Sequence, residues 1–524
     1  MRKPLLTFFT SLPLLVAIAP ASAWAVTLTV GPGRMYATPS AAAAAARDGD
    51  VVEIAAGTYR DVAIWRASNL TIRGVGGLAH LDAAGLTIPN GKAIWVIQGQ
   101  NTTVERVEFS GARVPDRNGA GIRQEGAGLT LRGCFFHDNE DGILAGANAA
   151  SDVVIESTEF ARNGYGDGQS HNLYINQVRS LTMRGCYSHD ARVGHLVKSR
   201  ALATYLLYNR LTGEAGTSSY EVDLPNGGLA VLVGNVIEQG PATDNSLMVS
   251  YAAEGASNPV QRLYLAHNTL VNDRPVGNFV RLYGTPTAVL VNNLFLGSGA
   301  QVMGTATSTG NLAATASWFV APSRYDYRLA AGAGAIDRGA PVGPTPDGSA
   351  VGLAPTSQYA HPTSVAARVT TGTAADVGAF EFGAPAAVDG GVADAAVDAS
   401  ADVPRDVTTD TPRDAGADGT TDTPRDAGAD APDVAAPEDA APDASAPEDV
   451  ALDAAAPEDA PPPDAAPEDA PPDVAATDVT SDGGAAPAPA EGCGCATPGS
   501  SRRARAPWLA ALLLLVAARR RVRA

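Results

Sequence analysis

The chain has 524 residues, 45% of them hydrophobic, a formal net charge of −19 and only four cysteines. That charge is uneven: residues 384–490 carry 26 acidic residues against three arginines, whereas residues 26–383 carry 29 acidic and 25 basic ones. No basic patch or stripe suggests nucleic acid as a partner, and the acidity belongs to a tail rather than to the folded part.

Residues 1–25 read as a secretory signal peptide. Arg2 and Lys3 form the charged start, residues 5–19 the apolar core, and the small residues ending at Ala23 or Ala25 the cleavage site. Pro39-Ser40 followed by six alanines predicts a helix over residues 39–47, starting at Thr38 or Ser40. Asp48-Gly49-Asp50 ends it, and Val51-Val52-Glu53-Ile54 is expected to be the first strand. An open stack of repeats needs a cap, because exposed core and bare strand edges invite association. The helix is well placed to be that cap.

From about Leu129 to Leu296 a short strand pattern recurs. Its copies end on Gly133, Ser157, Gly185, Asn209, Asn235, Asn268 and Asn293, at steps of 24, 28, 24, 26, 33 and 25 residues. Each period holds two or three short pieces rich in Val, Leu and Ile, parted by turn residues, with nothing at helical spacing. Such a unit cannot bury its own apolar face, so copies must stack. Coils that turn three times and rise about 4.8 Å per turn make an all-β parallel β-helix, a β-solenoid. Asn suits the corner because it tolerates left-handed backbone angles, and successive Asn amides can stack as a ladder. Cys134 and Cys186 fall two coils apart, roughly 9–10 Å, beyond disulfide reach; both are expected to be buried thiols.

Polar residues concentrate from His189 to Arg200 and from Ser218 to Asn226. A lysine inside the core would be an uncompensated charge. Alternation therefore turns Lys198 outward with Leu196 and leaves Val197 inside. One coil later Val222 is expected inside, and Glu221 and Asp223 outside, with Asp223 one strand spacing from Lys198. His195, three residues before Lys198, is expected to point the other way. Glu221 and Asp223 are candidate ligands for Ca²⁺, which favours carboxylate oxygens. No other cofactor is indicated. His195 and Tyr220 are candidate polysaccharide contacts.

Asp48-Gly49-Asp50-Val51-Val52-Glu53-Ile54, Gly57-Thr58-Tyr59 and Leu70-Thr71-Ile72-Arg73-Gly74 resemble the opening of right-handed parallel β-helix proteins of the pectate-lyase-like superfamily. Tyr325-Asp326-Tyr327-Arg328-Leu329, Ala335-Ile336-Asp337-Arg338-Gly339 and Asp376-Val377-Gly378-Ala379-Phe380-Glu381 are similar to the closing segment of many of them. The resemblance covers residues 26–383 and implies an extracellular polysaccharide as ligand. Lys198-Ser199 resembles the Lys-Ser of chondroitinase-B-like and alginate-lyase-like members, which implies Lys198 as the catalytic base of a β-elimination. Their Arg-His-Gly on the following coil is absent, and Asp223-Leu224-Pro225 stands near there. Three functions stay open: a uronate lyase, a non-catalytic glycan-binding or adhesion module, and a structural surface protein.

From residue 384 the composition collapses to Ala, Asp, Pro, Glu and Val, and Pro-Glu-Asp recurs at ten-residue steps from Pro437. A segment so charged and so poor in aromatics is expected to be a disordered spacer, reaching on the order of 300 Å when drawn out. Residues 491–524 bring Cys493-Gly494-Cys495, an apolar run at 508–518 and Arg519-Arg520-Arg521-Val522-Arg523. That run is shorter than the roughly 20 residues of a spanning helix. The arrangement resembles a myxobacterial-type C-terminal sorting tail, which implies processing near Cys493 or Cys495 by sorting machinery and tethering of an exported monomer to the outer membrane or envelope.

Overall fold

The computed structural model describes residues 25–88 and 90–385. The signal segment with Ala23, the acidic spacer from residue 386 and the tail with Cys493 and Cys495 lie outside the described residues.

Each period lays down three short strands. In one turn these are Ala120–Gln124, Leu129–Arg132 and Phe135–His137, and the next turn begins at Asp141–Ala145. Every strand pairs in parallel with its counterpart one turn later. Stacked turns give a ten-stranded sheet on one side and a continuous 21-stranded sheet around the other two. Alternation drives it: Leu129 and Leu131 are buried while Thr130 and Arg132 face out. Because like stacks on like, the interior forms ladders. Phe109, Phe136 and Phe160 stack with centroids 4.9 and 5.1 Å apart.

The helix Pro39–Ala45 forms as expected, with the Thr38 hydroxyl accepting the Ala41 N–H at its start. It buries Ala42 and Ala43 against the first turns. The first strand, however, is Thr27–Val30, which pairs in parallel with Val51–Ile54 across the connection that contains the helix.

The asparagine ladder is present and longer than expected. Asn209, Asn235, Asn268, Asn293 and Asn311 each donate or accept side-chain amide bonds of 2.9–3.0 Å with the next. The left-handed residue is the one before each: Tyr208, Gly234, His267, Asn292 and Gly310 have positive φ. The repeat is thus offset by one from the sequence alignment. Gly133, Ser157 and Gly185 are the left-handed residues of their turns. Cys134, Thr158 and Cys186 stand in the ladder positions, and the Cys186 N–H donates to the Asn209 side chain. Both thiols are free and buried.

After the last turn the chain folds back along the outside of the large sheet. Phe319, Tyr327, Leu329, Val377 and Phe380 pack on the outward Val236, Val271 and Leu294. The strap is pinned by Arg368, whose guanidinium donates to Glu381 and to the Asp376 and Gly378 carbonyls. A buried ion pair is tolerable when its remaining donors are met in this way.

Candidate functional site

On the ten-stranded sheet, register aligns one outward residue per turn. Leu144, Tyr174, Lys198, Asp223, Ser250 and Arg281 follow one another along a column. As expected, Lys198 faces out opposite Asp223, while Val197 and Val222 are buried inside. The Lys198 ammonium lies 3.8 Å from Asp223 Oδ2 and 3.6 Å from Glu254 Oε1. It also stands 5.6 Å from the centre of the Tyr174 ring, within cation–π range.

Arg200, two residues on and of the same parity, joins this network. It donates to the Tyr174 hydroxyl at 3.0 Å, to Asn226 at 2.7 Å and to Glu254 at 2.6 Å. Tyr174, Arg200 and Glu254 were not singled out from the sequence. Tyr174 was within reach, one period before Lys198 in register, and Arg200 follows from alternation. Glu254 sits on a turn, where neither rule applies.

The expectation for His195 is overturned. Its Nε2 lies 3.6 Å from Asp223 Oδ2, so it converges with Lys198 on the same carboxylate. The reason is local: the strand starts only at Val197, and the residues before it form bends in which alternation is lost. Leu196 is likewise buried in the core rather than turned outward with Lys198.

His195 belongs to a second column. The His171 Nδ1 accepts the His195 N–H at 3.0 Å, the His195 Nδ1 accepts the Tyr220 N–H, and the two imidazoles stack at 4.4 Å. With Nδ1 accepting, both rings carry their proton on Nε2. Burial, helped by Lys198, pushes His195 down to about 3, and burial with neighbouring cations holds His171 well below its usual value. His195 is therefore a neutral N–H donor directed at Asp223. Tyr220 places its ring 5.0 Å from His195. The Asp223 carboxyl is pushed up to about 6 by burial, against the pull of Lys198.

Glu221 does not join Asp223 in a calcium site. It is fully buried, turned toward Ser218 and Glu238, and its carboxyl is held well above the usual range by burial and then by Glu238. It follows Tyr220 at the corner, as Leu196 does one turn earlier, and consecutive side chains turn inward there. Calcium takes six to eight oxygens. Asp223 offers one carboxylate already facing an ammonium, so this donor set does not fit the ion.

Residues 58–312 match a family model described as right handed beta helix region. The domain is a right-handed parallel β-helix. No curated protein sequence matches the chain. Among solved structures, this β-helix is similar to the pectate lyase Pel9A at 15% identity, covering 69% of this chain and 97% of that one, with a TM-score of 0.49. It is similar to an alginate lyase from Paenibacillus sp. str. FPU-7 at 15% identity, covering 54% and 99%, with a TM-score of 0.36.

Proposed function

We propose that the β-helix binds an acidic extracellular polysaccharide along the outward column of its ten-stranded sheet, and that it does so exported and tethered to the cell surface by its C-terminal tail. The observation that carries the ligand class is the grouping of Lys198 and Arg200 beside the Tyr174 ring, 5.6 and 5.8 Å from its centroid. A ring offers a face to a sugar, and an arginine with a lysine offers charged donors to its carboxylate. Export and tethering rest on the signal-like start and the Cys493-Gly494-Cys495 tail.

A second reading is a uronate lyase with Lys198 as the base. It is favoured by one arrangement: His195 and Arg200 flank Lys198 from its own turn, although the following coil offers no Arg-His-Gly.

Both readings are tested by incubating the protein with pectate, alginate, chondroitin and hyaluronan while following ultraviolet absorbance and measuring binding. Retention of a polymer that weakens in Lys198→Ala supports binding. Rising absorbance from unsaturated ends, lost in the same variant, supports the lyase. Wild-type protein that retains none of the four would sink the ligand class proposed.

A further inference from the structure

We propose that His80, Glu108 and His137 form a zinc-type metal site on the outer face of the 21-stranded sheet. This site is independent of the polysaccharide column, which lies on the other sheet. The three residues come from successive turns, on the strands Thr71–Asp82, Val107–Ser110 and Phe135–His137. Register sets Glu108 beside His80, and His137 lies two residues further along on the next turn.

One ligand atom from each lies within 4.8 Å of the others. Glu108 Oε1 is 2.9 Å from His137 Nε2 and 3.7 Å from His80 Nε2. A tetrahedral ion with bonds of about 2.0–2.1 Å holds its ligands roughly 3.3 Å apart; the two Glu108 separations lie on either side of that spacing, and the two histidine nitrogens stand within 4.8 Å of each other. The side chains are partly exposed, which gives an ion access.

The surroundings fit as well. His137 Nδ1 is 2.8 Å from Asp138 Oδ2, which fixes the ring and leaves Nε2 for a metal, the usual outer support of a ligating histidine. Asp138 is itself held by Arg162 and Arg192. His80 Nε2 now shares a hydrogen bond with Ser110 Oγ at 2.7 Å, a bond the metal would replace. Two imidazoles and one carboxylate suit zinc rather than calcium or magnesium, and three protein ligands leave a fourth position for water or another ligand.

The chain contains its own control. Cys134-Phe135-Phe136-His137-Asp138 recurs as Cys186-Tyr187-Ser188-His189-Asp190. There His189 Nε2 lies 3.1 Å from Glu159 and Nδ1 2.7 Å from Asp190, the same ion-pair arrangement. The residue beside Glu159 on the preceding turn is Phe135, where the first copy has His80, and Ala161 stands where it has Ser110. The later copy is an ion pair alone; the earlier one adds the third ligand.

The test uses the full chain with Cys493→Ser and Cys495→Ser, which removes two competing thiolates, stripped of metal and titrated with Zn²⁺ by calorimetry and with Co²⁺ by visible absorption. One tight equivalent with a four-coordinate cobalt spectrum is expected, weakened about 100-fold or more by His80→Phe and unchanged by His189→Ala. His80→Phe installs a Phe–Glu neighbour pair that the fold already accepts at Phe135 and Glu159, and circular dichroism checks folding. If it fails to fold, Glu108→Gln gives the answer, with weakening of about tenfold or more. Absence of a tight equivalent, undiminished affinity in the variant that decides, or equal loss with His189→Ala would overturn the proposal.

Discussion

Lys198 and Asp223 occupy the same register position on consecutive turns, with Nζ and Oδ2 3.8 Å apart. Burial holds the Asp223 carboxyl up at about 6 against the downward pull of this ammonium. Lys198→Ala is therefore expected to move the Asp223 titration upward, measured by carboxyl-carbon NMR. In the proposed binding role it should also weaken affinity for an acidic polysaccharide about tenfold or more, the scale of one charge-assisted hydrogen bond. An unmoved Asp223 titration would mean that the pair does not interact.

Asp141 sets a pH dependence. Burial raises its carboxyl from 3.8 to about 8, although Oδ1 accepts the His171 N–H. The folded chain then keeps a proton that the unfolded chain releases, so this contribution is complete below about pH 4 and is lost as pH rises through about 8. Asp141→Asn keeps the accepting oxygen and removes the titration. Urea unfolding at pH 5 and pH 8 should show the variant gaining on the wild type at the higher pH; an equal gap at both would refute the assignment.

Asn235 sits in mid-ladder. Its side chain accepts from the Asn209 N–H and amide and donates to the Leu206 carbonyl and to Asn268. Asn235→Ala strands several buried groups and should cost on the order of 3 kcal/mol. Asn311→Ala, at the partly exposed end of the ladder, should cost less. The reverse order in denaturant midpoints would rule out the ladder as the source of stability.

Cys134 and Cys186 are both pushed up to about 12, chiefly by burial, and thiolate is the reactive form. With Cys493 and Cys495 replaced by serine, the native chain should give no reaction with a thiol reagent, and two equivalents after denaturation. Reaction at the rate of an exposed thiol would indicate that these turns open.

The coil was legible because its turns carry residues with few substitutes: left-handed Gly133 and Gly185, and the stacked Asn209 to Asn293. The one-residue offset was not, since Gly234 and Asn235 both suit a corner and only hydrogen bonding separates their roles. Lys198 opposite Asp223 was legible because a lysine cannot enter the core and the period fixes its neighbour. His195, Leu196 and Glu221 were misassigned for one shared reason. Alternation is a property of extended backbone, and these three lie where the backbone bends. The His80–Glu108–His137 group left no trace in the sequence reading, because its members are 28 and 29 residues apart and the diagonal offset appears only in the register.

The returning strap changes how the stack can come apart. The Asp376 carbonyl lies 3.0 Å from His267 Nδ1, and the Ala379 N–H donates to Thr269, 109 and 110 residues back along the chain. Arg184 reaches Ser357 from a turn earlier still. Repeats that touch only their neighbours can peel away singly from an open end. Here turns within the stack are latched from outside by residues synthesised after them. Such a latch makes the final segment the last piece to close and the first that must release, so a chain halted before residue 376 would hold its turns in place but leave them unlocked.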